Sequence, residues 1–245
     1  MKVVFLGATQ GMGRALARLM AARGDELFLL GRAPDELVRH ATDLRIRGAS
    51  AEVGVAACDL ERPAGFEAAL DAATAALGRI DVVVVTAGLF GTQEALEENP
   101  ELRRRVLTVN FVNTIEFCEQ ARVRLLAAGG GVLCVFSSVA GDRARKPVIL
   151  YGAAKAGLSH YLDGLDVQYR SRGLLTVLVK PGFVRTAMTQ GLKEPPFAAD
   201  PPAAATATLR AIDRGTPVVY VPSIWWFVML VVKCLPRWVR RRIDF

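Results

Sequence analysis

Three groups of residues in this chain have types and spacings suited to chemistry. The first is Gly7-Ala8-Thr9-Gln10-Gly11-Met12-Gly13-Arg14, directly after the apolar run Val3–Leu6. Glycines at 7, 11 and 13 let a backbone turn tightly and approach a pyrophosphate, which then rests on the amino end of the following helix. The second is Leu29-Leu30-Gly31-Arg32, at the end of the next apolar run. A dinucleotide with a free ribose 2′-hydroxyl is met here by an acid, whereas this chain offers a guanidinium, matched to a 2′-phosphate. NADP(H) is therefore expected in preference to NAD(H). Asp35 is close by, but an acid in the first turn of a helix has a reason of its own in the helix dipole. The third group is Tyr151-Gly152-Ala153-Ala154-Lys155, which puts a phenol and an ammonium on one helix face a turn apart.

These residues need a frame. Val3–Leu6, Glu26–Leu30, Ala51–Ala57, Ile80–Thr86, Val132–Ser137, Leu174–Val179 and Pro217–Val221 read as short apolar strands. Helical spacing fills Arg14–Arg23 (Ala15, Leu16, Leu19 and Met20 on one face), Pro34 to about Arg47, Pro63–Leu77, a long stretch Glu101–Ala127 ending at Gly129-Gly130-Gly131, and Tyr151–Ser171. The alternation predicts an α/β fold: a Rossmann-type, doubly wound parallel sheet of about seven strands with helices on both faces. Residues 1–222 form one domain in this reading. The proline-bearing block 183–202 (Pro195, Pro196, Pro201, Pro202) is a lid over the crevice at the carboxyl ends of the strands.

Composition bounds the rest. At 245 residues, 52% hydrophobic and 22% charged, the chain can fill a core, and disordered, collagenous and disulfide-scaffold classes are excluded. Cys58, Cys118, Cys134 and Cys234 have no metal-type spacing and the histidines are only His40 and His160. No metal site is expected, and a reducing, cytoplasmic setting is. The first apolar run stops at Gly7, too soon for a signal peptide.

The net charge of +7 is concentrated at one end: residues 224–245 hold five basic residues against one acid, Asp244. Of the twelve residues Ile224–Leu235, eleven are apolar, led by Trp225, Trp226 and Phe227. The run before Lys233 is far short of the ~20 residues that span a bilayer. An apolar-basic extension over 223–245 suits an anionic membrane surface, contacted through Ile224–Arg242, and not nucleic acid. The competing reading is a helix docked on its own body or on a second subunit. Arg143, Arg145 and Lys146, between Ser138 and Tyr151, are either partners for a substrate phosphate, or part of a solvated loop or an intersubunit salt bridge.

Further marks complete the pattern: Asp59-Leu60, Thr86-Ala87-Gly88, Asn110, Ser137-Ser138, and Pro181-Gly182 followed by Val184 and Thr186. With the GxxxGxG loop and YxxxK, this set resembles the short-chain dehydrogenase/reductase family over residues 1–222. The resemblance implies hydride transfer between a nicotinamide cofactor and a ketone or alcohol. It makes Asn110, Ser138, Tyr151 and Lys155 catalytic. Tyr151 is the proton donor, with a pKa lowered from ~10 by the Lys155 charge. Ser138 bonds the carbonyl oxygen, Lys155 also holds the nicotinamide ribose, and Asn110 braces a relay water. The cofactor is implied to lie on Gly7, Thr9, Gln10, Gly11, Met12, Gly13, Arg32, Asp59, Leu60, Ala87, Gly88, Tyr151, Lys155, Pro181, Gly182, Val184 and Thr186. Leu6 and Thr86 depart from the family's usual Thr and Asn at positions that support backbone.

Finer features look like one branch of the family: Leu89-Phe90-Gly91, the 141–146 loop, residues 181–188, Leu192-Lys193-Glu194-Pro195-Pro196, and the closing Leu-Pro and arginines. That branch contains the reductase subunit of decaprenylphosphoryl-ribose 2′-epimerase, which implies a keto-sugar on a polyprenyl phosphate as substrate. Other branches reduce acyl, steroid or sphingoid ketones. A non-catalytic NADP-binding regulator is disfavoured by the intact tetrad, and an epimerase or dehydratase by the short stretch after Pro181. Relatives are typically homo-oligomers.

Overall fold

The structure is a computed structural model, and it describes residues 1–49 and 52–242. Seven strands form one parallel sheet in the order β3-β2-β1-β4-β5-β6-β7: β1 Lys2–Leu6, β2 Glu26–Gly31, β3 Gly54–Ala57, β4 Val82–Val85, β5 Gly131–Phe136, β6 Leu174–Pro181 and β7 Val218–Val221. The chain winds outward from β1 to β3, then returns to lay β4 on the other side of β1. This switch opens a crevice at the carboxyl ends of β1 and β4. Register brings Leu6 level with both Leu30 and Val85, so three strand tips end side by side.

The strands are nearly continuous apolar runs because helices cover both faces. Alternate residues serve opposite cores. Val4 and Leu6 pack with Phe66 and Leu70 of α3 (Phe66–Leu77), Phe117 of α6 (Asn113–Ala127) and Leu158 of α7 (Ile149–Tyr169). Val3 and Phe5 pack with Leu16 and Met20 of α1 (Gly11–Ala22), Leu37 of α2 (Pro34–Ile46) and Ala204 of α8 (Pro201–Arg214).

Several expectations change. The third strand starts at Gly54; Ala51, its expected start, lies outside the described residues, as do residues 243–245. The stretch 101–127 is two helices, α5 (Pro100–Leu107) and α6, joined by a π-helical turn over Thr108–Val112. A short α4 (Gln93–Glu98) precedes them, its amino end capped by Thr92, which accepts from the Ala95 amide at 3.3 Å. Helix α8 was not expected at all. Its prolines stand in the first turn, where their missing N–H groups cost nothing, and Ala204, Thr208, Ala211 and Ile212 form the buried stripe.

The extension forms α9 (Ile224–Cys234) and α10 (Arg237–Arg242). One face of α9 docks on the body, with Trp225, Met229 and Val232 buried against Val139 and Tyr220. Its other face leaves Trp226 and Phe227 each 57% exposed and Leu230 and Val231 each 47% exposed. Docking on the chain's own body thus holds for one face of the helix, and the other face is uncovered among the described residues.

Candidate active site

The glycine loop is packed too tightly for side chains. At Gly7 (φ +96°) a Cβ would lie 2.6 Å from the Ala87 amide nitrogen, and at Gly13 one would lie 2.2 Å from the Gly7 carbonyl oxygen. Thr86, in place of the family's Asn, donates its hydroxyl to the Gly7 carbonyl at 2.8 Å, and so binds the loop to the β4 tip. Leu6, the other departure, is buried among the core side chains. Helix α1 starts at Gly11 with no side-chain cap and no acid in its first turn. Its amino end is left to an anion, favoured there by free N–H groups and the helix dipole.

In front of the loop is a cavity of about 340 Å³. All the residues expected to meet a cofactor line it except Tyr151, Lys155, Pro181, Gly182 and Val184. Cys58, Glu36, Glu61 and Met188 line it too and were not foreseen, because nothing in their local spacing marks them. Glu61 is engaged by Arg105 in a two-bond ion pair at 2.8 and 2.9 Å. Arg32, at the β2 tip, is exposed and has no hydrogen bond or ion pair among the described residues. Asp59 accepts from the Glu61 amide at 3.0 Å, forming the turn after β3. Glycines shaped for close approach, an open helix terminus and an unpaired guanidinium together fit a dinucleotide phosphate donor set.

Gly88 joins this cavity to the remaining residues: a Cβ there would stand 2.7 Å from Asn110 Oδ1 and 3.7 Å from Lys155 Nζ. Asn110 is fully buried in the π turn. Its side chain accepts from the Leu89 amide at 3.0 Å and donates to the Leu89 carbonyl at 2.6 Å. Lys155 donates to the Phe136 carbonyl at 2.9 Å and lies 5.9 Å from the centre of the Tyr151 ring. The two serines after β5 divide: Ser137 is buried and bonds the Lys155 carbonyl and Ser159, fastening α7 to the sheet. Ser138 caps the turn Val139–Gly141 and reaches the Tyr151 phenol. Phe90 stacks edge-on against Tyr151 at 5.2 Å.

The electrostatics correct one expectation. Burial pushes the Tyr151 phenol up to about 12, against the opposing pull of the Ser138 bond. Burial pulls the Lys155 ammonium down to about 8. Desolvation disfavours the charged form of each group, so in this structure the phenol is raised and not lowered, and the lysine does not offset its burial.

The expected lid is loop from Phe183 to Asp200, where α8 takes over. Its neck is tied by the Arg185 amide to the Ala199 carbonyl and the Ala199 amide to the Phe183 carbonyl, both 2.9 Å, and by Arg185 to Glu194 and Asp200. Its Thr186, Ala187 and Met188 reach the cavity, while Val184 bridges to Ala199.

Known proteins resemble the chain as a whole. The family profile described as short chain dehydrogenase matches residues 1–196. An uncharacterized oxidoreductase of Mycobacterium tuberculosis is 33% identical over 242 residues, covering 99% of this chain and 96% of its own. Among solved structures, a variant of actinorhodin polyketide ketoreductase with NADPH has a TM-score of 0.80 at 22% identity, over 90% of this chain and 95% of its own. A short chain dehydrogenase/reductase from Burkholderia phymatum in complex with NAD has a TM-score of 0.82 at 22% identity, over 93% and 91%. The chain is a NAD(P)-dependent oxidoreductase and belongs to the short-chain dehydrogenase/reductase family.

Proposed function

We propose that this protein is an NADPH-dependent ketone reductase acting on a lipid-borne substrate at an anionic membrane surface. The observation that supports the chemistry best is the group at the Gly88 end of the cavity: a phenol held protonated by burial, touching Ser138, with a lysine behind it. Bound on the glycine loop, the reduced nicotinamide would supply a hydride to the carbonyl carbon. Ser138 donates a hydrogen bond to the ketone oxygen and aligns it. Tyr151 gives that oxygen its proton and becomes tyrosinate, which the Lys155 ammonium stabilises. Lys155 also offers donors to the ribose, and Asn110 secures the π turn against Leu89 beside them. A phenol protonated at neutral pH is the form that reduction of a ketone requires.

The solved neighbours hold NADPH in one case and NAD in the other, so preference rests on this chain's own residues. Arg32, unpaired at the β2 tip, supports NADPH. Arg32→Ala should raise Kd for NADPH about tenfold, the low end for a charged hydrogen bond because the site is exposed, and leave Kd for NADH unchanged. Fluorescence titration of both cofactors checks this; an equal loss for both, or a wild-type preference for NADH, would overturn it.

The outward face of α9 supports the lipid part of the proposal. Trp226, Phe227, Leu230, Val231 and, in α10, Trp238 are exposed, and the same segment contains Lys233, Arg237, Arg240, Arg241 and Arg242. No helix among the described residues is long and apolar enough to cross a membrane. A helix lying in the interface buries such a face, and each nearby cation adds about 1 kcal/mol on an anionic surface. The substrate we favour is a keto-sugar on a polyprenyl phosphate, its chain in the bilayer and its sugar at the crevice. In flotation with phosphatidylglycerol vesicles the protein should rise with the lipid, and with phosphatidylcholine vesicles it should largely stay behind. Phe227→Ser with Leu230→Ser, both on the outward face, should abolish flotation without unfolding the body. If the face instead pairs with a second copy, the same variant turns a dimer into a monomer on a sizing column and no vesicle binding is seen.

A further inference from the structure

The loop between Ser138 and Tyr151 contains an acid outside the catalytic set. Asp142 has a side chain only 2% exposed, and three elements distant in sequence converge on it. Lys180, the residue before Pro181 in β6, makes an ion pair with Oδ1. The Tyr220 hydroxyl of β7 donates to Oδ2 at 2.7 Å. Lys233 of α9 lies 3.3 Å from Oδ2. A buried carboxylate is costly unless paired and hydrogen-bonded, and here both oxygens are satisfied.

The acid ends the turn that Ser138 begins. The Ala140 amide donates to Ser138 Oγ at 3.1 Å, the Gly141 amide to the Ser138 carbonyl at 3.0 Å, and the Asp142 amide to the Val139 carbonyl at 3.1 Å. On one side the turn is pressed on α7: a Cβ at Gly141 would stand 2.7 Å from the Lys155 carbonyl carbon. On the other side Val139 is buried against Trp225, Met229 and Val232 of α9. The Trp225 indole also fills the space where Gly182 would carry a side chain, 2.1 Å from that position. The inner face of α9 therefore touches the turns after both β5 and β6.

We propose that Asp142 is a positioning residue for ketone reduction: by joining the Ser138 turn to β6, β7 and α9, it makes the C-terminal helix part of the framework that aims Ser138 at the substrate. This rests on the reductase reading for its kinetic consequence, though the mechanical link does not. Lys233 is the informative position, since its side chain is 44% exposed and away from the cofactor cavity. Its replacement should disturb the turn with little effect on folding.

The test uses the full chain, NADPH and phenanthrenequinone, a vicinal diketone not carried on a lipid. Lys233→Met should lower kcat about tenfold, the scale of a small misplacement of a catalytic group, with KM for NADPH unchanged, and Lys233→Arg should restore it. Deuterium uptake at the amides of residues 140–142 should rise in Lys233→Met and stay at the wild-type rate in residues 8–13. Asp142→Asn, which leaves two lysines around a neutral amide, should show both effects more strongly. Wild-type kcat and wild-type uptake in both variants overturn the proposal. So does a loss shared equally by NADPH binding and by exchange across the sheet, which marks general destabilisation. If the wild-type protein does not reduce the diketone, the reductase reading fails for that ketone, and the exchange arm still decides whether α9 holds the turn.

Discussion

Tyr151→Phe should lower kcat for ketone reduction by a factor on the order of 10³, within the range for loss of a positioned general acid. The phenol is raised to about 12 by burial, so at neutral pH the wild-type side chain is a proton store next to Ser138. Phenylalanine keeps the ring, and with it the edge-on contact to Phe90 at 5.2 Å, but leaves the carbonyl oxygen with no donor of a full proton. Because Tyr151 does not line the cavity at the glycine loop, Kd for NADPH should stay within about twofold, and kcat and kcat/KM should fall together, the signature of an interaction made in the transition state. Stopped-flow single turnover separates this from slow product release. A variant retaining more than a few per cent of wild-type turnover would sink the assignment of Tyr151 as donor.

Lys155→Met should move activity and stability in opposite directions. The folded-state pKa of this lysine is depressed from 10.5 to about 8 by burial. Between those values this side chain is protonated in the unfolded chain and neutral in the folded one, so its own contribution to stability rises with pH from about 8 to 10.5, and at neutral pH the buried charge weakens the fold. Methionine removes the charge and keeps the apolar stem. Against this, it loses the bond to the Phe136 carbonyl at 2.9 Å. The balance is a gain of roughly 2 kcal/mol at pH 7, taken from the size of the shift less one hydrogen bond. Buried thiols and phenols raised by desolvation lower the stability of both proteins above about pH 9, so the readout is the difference: in urea unfolding the advantage of Lys155→Met over the wild type should shrink as pH rises from about 8 to 10.5. Turnover should fall about 10²-fold, since the tyrosinate loses its countercharge. In the wild type, kcat/KM should decline as pH rises through about 8, where the ammonium is lost. A methionine variant less stable at pH 7, or a stability difference from the wild type that does not change with pH, would contradict this account of the burial.

What the sequence determined by itself is the chemistry that depends on near neighbours. Gly7, Gly11 and Gly13 announce a phosphate-binding turn because their lack of side chains is a local property. Tyr151 and Lys155 share a helix face because four residues make about one turn. The apolar runs alternate with helical stretches, so the parallel sheet and its order of elements could be read in advance. Arg32 stands out because an acid is missing at the same place. Tertiary structure decided whatever depends on desolvation or on partners far along the chain. The shifts of Tyr151 and Lys155 run opposite to what their pairing suggests, because burial is set by the sheet, Phe90 and α7 together. Asn110 is clasped by Leu89 across a π turn that looks like uninterrupted helix in the sequence. Ser137 and Ser138 are identical neighbours, and only the strand's alternation sends one into α7 and the other toward the phenol. The apolar tail has no obvious inside or outside until Trp225, Met229 and Val232 find Val139, leaving Trp226, Phe227, Leu230 and Val231 outward. Asp142, ordinary in a basic loop, gains its place only when Lys180, Tyr220 and Lys233 arrive from the last third of the chain, because a buried carboxylate is stable only where folding brings its partners to it.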